Sequence, residues 1–175
     1  MNYVLKDGYI LAKSKGKLNG KVLRFPKISV GATENSIIAA CLAKGTTILK
    51  NCAVEPEIKD LTNFLNLAGA KITWSGRKCK IIGVESLNKT EYSVMPDRIE
   101  AGTFCVAATV AKGNLEILDF DAKIIKTELN LLKKFGAKIK IKNKRIFIKG
   151  PENINSIKNI KTKEYPGAVS YTHLR

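Results

Sequence analysis

The chain has 175 residues, 45% of them apolar, and a formal charge of +16. That is enough apolar material to bury a core, in one domain or in parts of two. No stretch has the length of a membrane-spanning helix, and residues 1–8 carry neither an apolar leader core nor a small-residue cleavage site, so the expected location is the cytoplasm.

The four cysteines, Cys41, Cys52, Cys79 and Cys105, form no CxxC pair, and the single histidine is His173. A zinc or iron–sulfur site needs clustered ligands, so none is expected. The cysteines lie inside apolar patterns and read as small buried hydrophobes. Lysine supplies most of the charge; arginine stands only at positions 24, 77, 98, 145 and 175. Such a balance attracts phosphate-bearing partners, but its bulk reads as a solvated lysine surface.

Two strand-like runs come first, residues 9–12 and 21–25, beside the turn signals Asp7-Gly8 and Asn19-Gly20. They read as the tail of an earlier repeat copy or as the first strand of the next one. A helix is then predicted over residues 32–44, with Ile37, Ile38, Cys41 and Leu42 as its apolar face, Lys44 at its negative end and Gly45 in the left-handed cap. Residues 46–50 are β-branched and strand-like. Pro56 suits the first position of a second helix and Glu57 its first turn, with Ile58, Leu61, Phe64, Leu65 and Ala68 as a buried stripe. Gly69 ends that helix, and residues 71–74 and 78–82 make a hairpin. Residues 85–95 are polar and mark a boundary.

The pattern then returns. A helix is predicted over 98–112 with Ile99, Thr103, Val106 and Val110 inward, a strand over 115–118, a helix over 122–135 with Ile125, Leu129 and Leu132 inward, and a hairpin of 138–141 with 145–149. The copies also align in sequence. Ala39-Ala40-Cys41-Leu42-Ala43-Lys44-Gly45 aligns with Ala107-Ala108-Thr109-Val110-Ala111-Lys112-Gly113 at an offset of 68, and Gly69-Ala70-Lys71-Ile72 with Gly136-Ala137-Lys138-Ile139 at 67. Gly83 and Gly150 close the copies at that same offset. The chain is therefore a tandem repeat of one α/β unit.

Three short segments carry candidate chemistry. Lys27-Ile28-Ser29-Val30-Gly31 joins a strand to a helix, where free N–H groups, a hydroxyl and a cation suit a diphosphate, although taken alone that signal is weak and Ser29 as an ordinary helix cap is the preferred reading. The Walker spacing is absent. Glu55-Pro56-Glu57 sets two carboxylates at a helix start, suited to a sugar hydroxyl, to a basic side chain or merely to the helix dipole. Asp97-Arg98-Ile99-Glu100 opens the matching helix of the second copy and reads as a cap with a surface ion pair.

Taken in order, Ser29-Val30-Gly31-Ala32-Thr33-Glu34-Asn35, Ala43-Lys44-Gly45-Thr46-Thr47, Glu55-Pro56-Glu57-Ile58 and Pro96-Asp97-Arg98-Ile99-Glu100-Ala101-Gly102-Thr103-Phe104 closely resemble the UDP-N-acetylglucosamine 1-carboxyvinyltransferases, a family of enolpyruvyl transferases. The resemblance spans residues 3–167. It implies an α/β (α+β) fold of repeated βαβαββ units, arranged in two similar domains with the active site between them. It also implies transfer of the enolpyruvyl group of phosphoenolpyruvate to the sugar 3-hydroxyl of UDP-N-acetylglucosamine, the committing step of peptidoglycan synthesis, without a metal or organic cofactor. By that resemblance Lys27, Ile28, Ser29 and Val30 bind the sugar nucleotide, Gly31 belongs to the same turn, and Glu55, Glu57, Asp97 and Arg98 line or brace the cleft. Residues 1–95 would end the domain that bears the catalytic loop, and residues 96–167 would begin the other.

The departures bear on activity. The family's chains are more than twice as long. Its lysine–asparagine pair and its cysteine-bearing loop are missing here, and none of the four cysteines corresponds to that cysteine. Val54 stands where an arginine is common. After Tyr165-Pro166-Gly167 the family's Phe-Pro-Thr-Asp, with its candidate base, gives way to residues 168–175, which read as an artefactual tail; His173 is accordingly assigned no role. No catalytic residue is assigned, and the chain alone is expected to be inactive. The sister enzyme that makes 5-enolpyruvylshikimate 3-phosphate shares the repeat but not these motif blocks. A lysine-rich RNA-binding module lacks its stacking aromatics, so neither a nucleic-acid nor a membrane partner is expected.

Overall fold

The structure, a computed structural model, describes residues 2–160, 162, 165 and 167. The tail after Gly167, with His173, lies outside the described residues. The chain divides into two compact units, Met1–Val94 and Met95–Arg175.

The first unit opens with a hairpin of β1 (Asn2–Lys6) and β2 (Tyr9–Lys13), in which Lys6 pairs with Tyr9 across the two-residue turn Asp7-Gly8. Both turn residues have positive φ, 51° and 80°, as a hairpin of matching twist requires. Only the second of these strands is foreseen from sequence. The repeat proper follows as β3 (Val22–Arg24), α1 (Val30–Cys41), β4 (Thr46–Lys50), α2 (Pro56–Leu67), β5 (Lys71–Ser75) and β6 (Lys78–Ile82). Its sheet has the order β3-β4-β6-β5, with β3 parallel to β4 and the other pairs antiparallel.

The second unit runs α3 (Arg98–Val110), β7 (Asn114–Ile117), α4 (Lys126–Lys134), β8 (Lys138–Lys142) and β9 (Arg145–Lys149), with the sheet order β7-β9-β8. That order repeats β4-β6-β5. The buried positions repeat as well: Ile58, Leu65, Cys79 and Ile81 in the first core answer to Ile125, Leu132, Ile146 and Ile148 in the second, every one of them at most 5% exposed. The glycines keep step for a geometric reason. Gly83 donates its N–H to Gly45 O at 2.9 Å, and Gly150 donates to Gly113 O at 2.8 Å. A Cβ on Gly83 would overlap Ala43 O, and one on Gly150 would lie 2.6 Å from Ala108 O. In each copy the strand end passes against the end of the first helix, with no room for a side chain.

Four expected details differ. The helix α1 stops at Cys41, short of Lys44; Lys44 instead donates its N–H to Leu18 O and accepts from Gly20 N–H, both at 2.7 Å, in a bridge that draws it out of the helix. Gly45 does take a positive φ of 80°. The inward face of α3 is Arg98, Ala101, Cys105 and Thr109, while Thr103, Val106 and Val110 point outward. Small residues on the sheet side let this helix lie as close as Gly150 demands. Finally, α4 begins at Lys126, since Asp121 holds the preceding residues in a turn by accepting from the N–H groups of Lys123 and Ile124. The α2 stripe is also narrower than expected: Phe64 lies at the surface, tilted against Tyr92 at 5.5 Å, and Thr62 is buried, accepting from Trp74 Nε1 at 3.2 Å.

All four cysteines are free and buried. Burial pushes the Cys79 thiol up to about 12 and the Cys105 thiol up to about 11, and raises Cys41 and Cys52 as well. The thiolate is the reactive form. At pH 8 a thiol reagent is therefore expected to label the native chain orders of magnitude more slowly than the chain unfolded in guanidinium. Equal rates in the two states would show that these cores open readily.

Candidate functional site

The turn from β3 into α1 is fixed from several sides. Phe25 donates its N–H to Lys50 O at 3.0 Å, and Asn51 Nδ2 donates to Phe25 O at 2.9 Å, which ties residues 25–29 to the end of β4. Ser29 is the N-cap of α1; its hydroxyl accepts from Ala32 N–H at 3.3 Å, and its carbonyl from Thr33 N–H at 3.1 Å. That capping leaves the N–H groups of Val30 and Gly31 outside the intrahelical ladder. The side chains of Ile28 and Val30 pack against the core, so what they can offer a ligand is backbone. Lys27 is exposed beside them. Nothing lies within 4 Å of a Cβ built on Gly31, so the fold itself does not call for glycine there.

Thr33 draws the second segment to the first. Its Oγ1 donates to Ser29 O at 2.8 Å and accepts from the buried Ala53 N–H at 3.0 Å. The neighbouring Cys52 is clasped by Arg77: Cys52 N–H donates to Arg77 O, and Arg77 Nη1 donates to Cys52 O, both at 3.0 Å. Residues 52–55 are thereby delivered to the start of α2. Glu55 is the N-cap residue, but its side chain makes no capping bond, and Pro56 takes the first helical position. Glu55 is 5% exposed, and its Oε2 is buried without a hydrogen-bond partner. Glu57 is half-buried.

Glu34, one residue beyond Thr33, completes this region. Its carboxyl is held above the usual range, first by burial and then by the charges of Glu57 and Glu55. A carboxyl raised on folding adds most stability where it is protonated and loses that contribution as pH rises through its folded value. Glu34→Gln is thus expected to raise stability at pH 7 by well under about 1 kcal/mol, given its exposure, and to make no difference below about pH 4. Urea unfolding at the two pH values reads this directly.

The structure brings Lys27, Ile28, Ser29, Val30, Gly31, Glu55 and Glu57 into one region of the first unit. Asp97 and Arg98 belong to the second. There Asp97 is the N-cap of α3, with Oδ1 accepting from the N–H groups of Ile99 at 2.7 Å and Glu100 at 3.3 Å. Arg98 is no surface residue: it is 5% exposed, with its guanidinium 5.7 Å from the centre of the Tyr165 ring. A hollow of about 400 Å³ beside this helix start is lined by Pro96, Asp97, Glu100, Phe104, Leu115 and Phe120, among others. Among the described residues no group of three His, Cys, Asp or Glu side chains is placed to hold a metal ion.

Set beside known proteins, the sequence profile of the EPSP synthase (3-phosphoshikimate 1-carboxyvinyltransferase) family matches residues 3–171. This chain belongs to that family. It is 54% identical over 168 residues to the UDP-N-acetylglucosamine 1-carboxyvinyltransferase of Pelagibacter ubique (strain HTCC1062), an overlap of 95% of this chain and 40% of the relative. The enzyme of that name from Rickettsia akari (strain Hartford) is 45% identical over 164 residues, 93% of this chain and 39% of the relative. The chain thus spans about two fifths of the length of these family members. Among solved structures, the enolpyruvyl transferase NikO from Streptomyces tendae superposes with a TM-score of 0.65 at 23% identity, over 80% of this chain and 34% of its own. EPSP synthase from Acinetobacter baumannii gives 0.58 at 20% identity, over 81% and 34%. The fold is that of the enolpyruvyl transferase family, and the expected family and fold class both hold.

Sequence reading missed Thr33 and Glu34 as members of the site. Thr33 carried a signal: it is a polar residue on the stripe of Ile37, Ala40 and Cys41, where an unsatisfied hydroxyl would be costly. Glu34 carried none, because its environment is set by residues more than twenty positions away.

Proposed function

We propose that this chain is part of a UDP-N-acetylglucosamine 1-carboxyvinyltransferase, transferring the enolpyruvyl group of phosphoenolpyruvate to the sugar 3-hydroxyl in the cytoplasm, at the start of peptidoglycan synthesis. The observation that carries this reading is the 54% identity over 95% of the chain. The residue chemistry supports it. The free N–H groups of Val30 and Gly31, at the positive end of α1, and the ammonium of Lys27 suit the diphosphate of a sugar nucleotide. Gly31 keeps that approach clear without being needed by the fold. In this reading Asp97 and Arg98 also match family positions that line or brace the cleft, with residues 1–95 ending one domain and residues 96–167 beginning the next. Enolpyruvyl transfer also needs a proton donor, a base and cations on the phosphate, converged in one pocket. This reading places most of that set in the remainder of the polypeptide.

Titration of the isotope-labelled chain with UDP-N-acetylglucosamine tests it. Saturable amide shifts confined to residues 27–35 are expected, with none from 3-phosphoshikimate. The reverse selectivity would assign the chain to the sister enzyme. Gly31→Ala separates ligand from fold: it is expected to leave stability within about 1 kcal/mol of the parent, or slightly higher, while weakening the sugar-nucleotide shifts at least severalfold. Release of phosphate from UDP-N-acetylglucosamine and phosphoenolpyruvate by this chain alone is expected to be absent.

A further inference from the structure

Glu55 stands out once the two copies are compared. Its counterpart at the repeat offset of 67 is Ala122, which is equally buried, at 7% exposure against 5%. The flanking positions agree in the same way: Ala53 with Phe120 and Ile58 with Ile125, all at most 1% exposed. The fold therefore accepts a small neutral residue at this place, and the carboxylate is not there for packing. Its Oε2 is buried with no hydrogen-bond partner. A buried charged oxygen without a partner is expensive, and native structures carry few of them.

Two more carboxylates lie close. Glu34 and Glu57 are half-buried, and the electrostatic repulsion felt by Glu34 shows that all three share one region. Three acids gather here on a chain of net charge +16. A phosphate or a phosphoenolpyruvate carboxylate is repelled by such a group. The carboxylates are not placed to ligate one metal ion. What suits them is a planar cation with several donors in a fork, able to serve Glu55 and a neighbouring acid at once, which describes a guanidinium better than an ammonium.

We propose that Glu55, with Glu34 and Glu57, forms an acceptor site for an arginine side chain supplied by the part of the enzyme that lies outside this chain. The inference rests on the reading of the chain as part of a longer transferase. It changes the part played by these acids: they hold a cation at the cleft and make no direct contact with the anionic substrates.

Methylguanidinium serves as the probe on the 175-residue chain, with the glutamate carboxyl carbons followed by NMR. The Glu55 resonance is expected to shift saturably in the millimolar range, and the titration midpoint of Glu34 to fall as the added cation offsets the repulsion. Methylammonium is expected to bind several times more weakly, and Glu55→Gln to abolish saturation. A response matched by sodium chloride at equal ionic strength, or kept in Glu55→Gln, overturns the site. A second measurement guards against misfolding: Glu55→Ala, which installs the residue of the second copy, is expected to raise Tm by a few degrees because it removes an unpaired charge. A fall in Tm would mean that Glu55 is already satisfied inside the chain, and would overturn the proposal. Since neither readout involves UDP-N-acetylglucosamine, loss of sugar-nucleotide binding with this site intact would count against the proposed function alone.

Discussion

Gly83→Ala is expected to destabilise the first unit by about 3 kcal/mol or more, which for many small domains is a large share of the total. The added carbon would overlap a backbone oxygen, Ala43 O, and backbone cannot rotate out of the way as a side chain can. Relief would require moving the end of α1 off the sheet, with loss of the hydrogen bond from Gly83 to Gly45 and of the one from Val84 N–H to Cys41 O at 2.8 Å. The single tryptophan, Trp74, lies on β5 of this unit and packs against its core, so its fluorescence in urea reports this unit. The parallel change Gly150→Ala, 2.6 Å from Ala108 O and 2.7 Å from Lys112 Cα, is expected to damage the second unit and leave the Trp74 transition nearly unmoved. A wild-type midpoint in Gly83→Ala would show that the two layers are free to part.

Thr33→Val is expected to cost about 2 kcal/mol, although the two side chains have nearly the same shape. The substitution strips the oxygen that accepts from Ala53 N–H, and both residues are fully buried. An orphaned buried N–H bears its whole desolvation cost. The effect reaches the site, because this bond is what holds residues 52–55 against the start of α1. Thr33→Ser keeps the oxygen and is expected to keep the Ala53 amide protected from hydrogen exchange, whereas Thr33→Val should lose that protection by at least tenfold. Equal protection in the two variants would move the attachment elsewhere.

Much of the fold could be read beforehand because the repeat supplies its own control. Strands β4, β6 and β9 fall on the expected residues, and the other foreseen strands within one at either end, since turn residues and alternation are local signals; β1 was not foreseen. The inward face of α3 could not be read that way. A search for large apolar residues selects Val106 and Val110, while close approach to the sheet selects Ala101 and Cys105. Which rule governs depends on the layer spacing that Gly150 sets from forty residues away. The capping role of Ser29 and Asp97 was legible from residue type alone, and the turn of residues 27–31 from its position between strand and helix. The burial of Arg98 and the isolation of Glu55 were not, because each depends on which distant groups reach it.

The opening hairpin has a dynamic consequence. Among the described residues β1 and β2 pair only with each other, and Tyr3, Val4, Leu5, Tyr9, Ile10 and Leu11 are each at least 53% exposed. A lone two-stranded ribbon with both faces in water is marginal. Its amides should therefore exchange with solvent on the millisecond-to-second clock of local fraying, while those of β4 and β6 wait for the whole unit to open. A protease that finds the ribbon would trim the chain back towards Leu18, whose carbonyl accepts from Lys44 N–H, and leave the remaining unit folded.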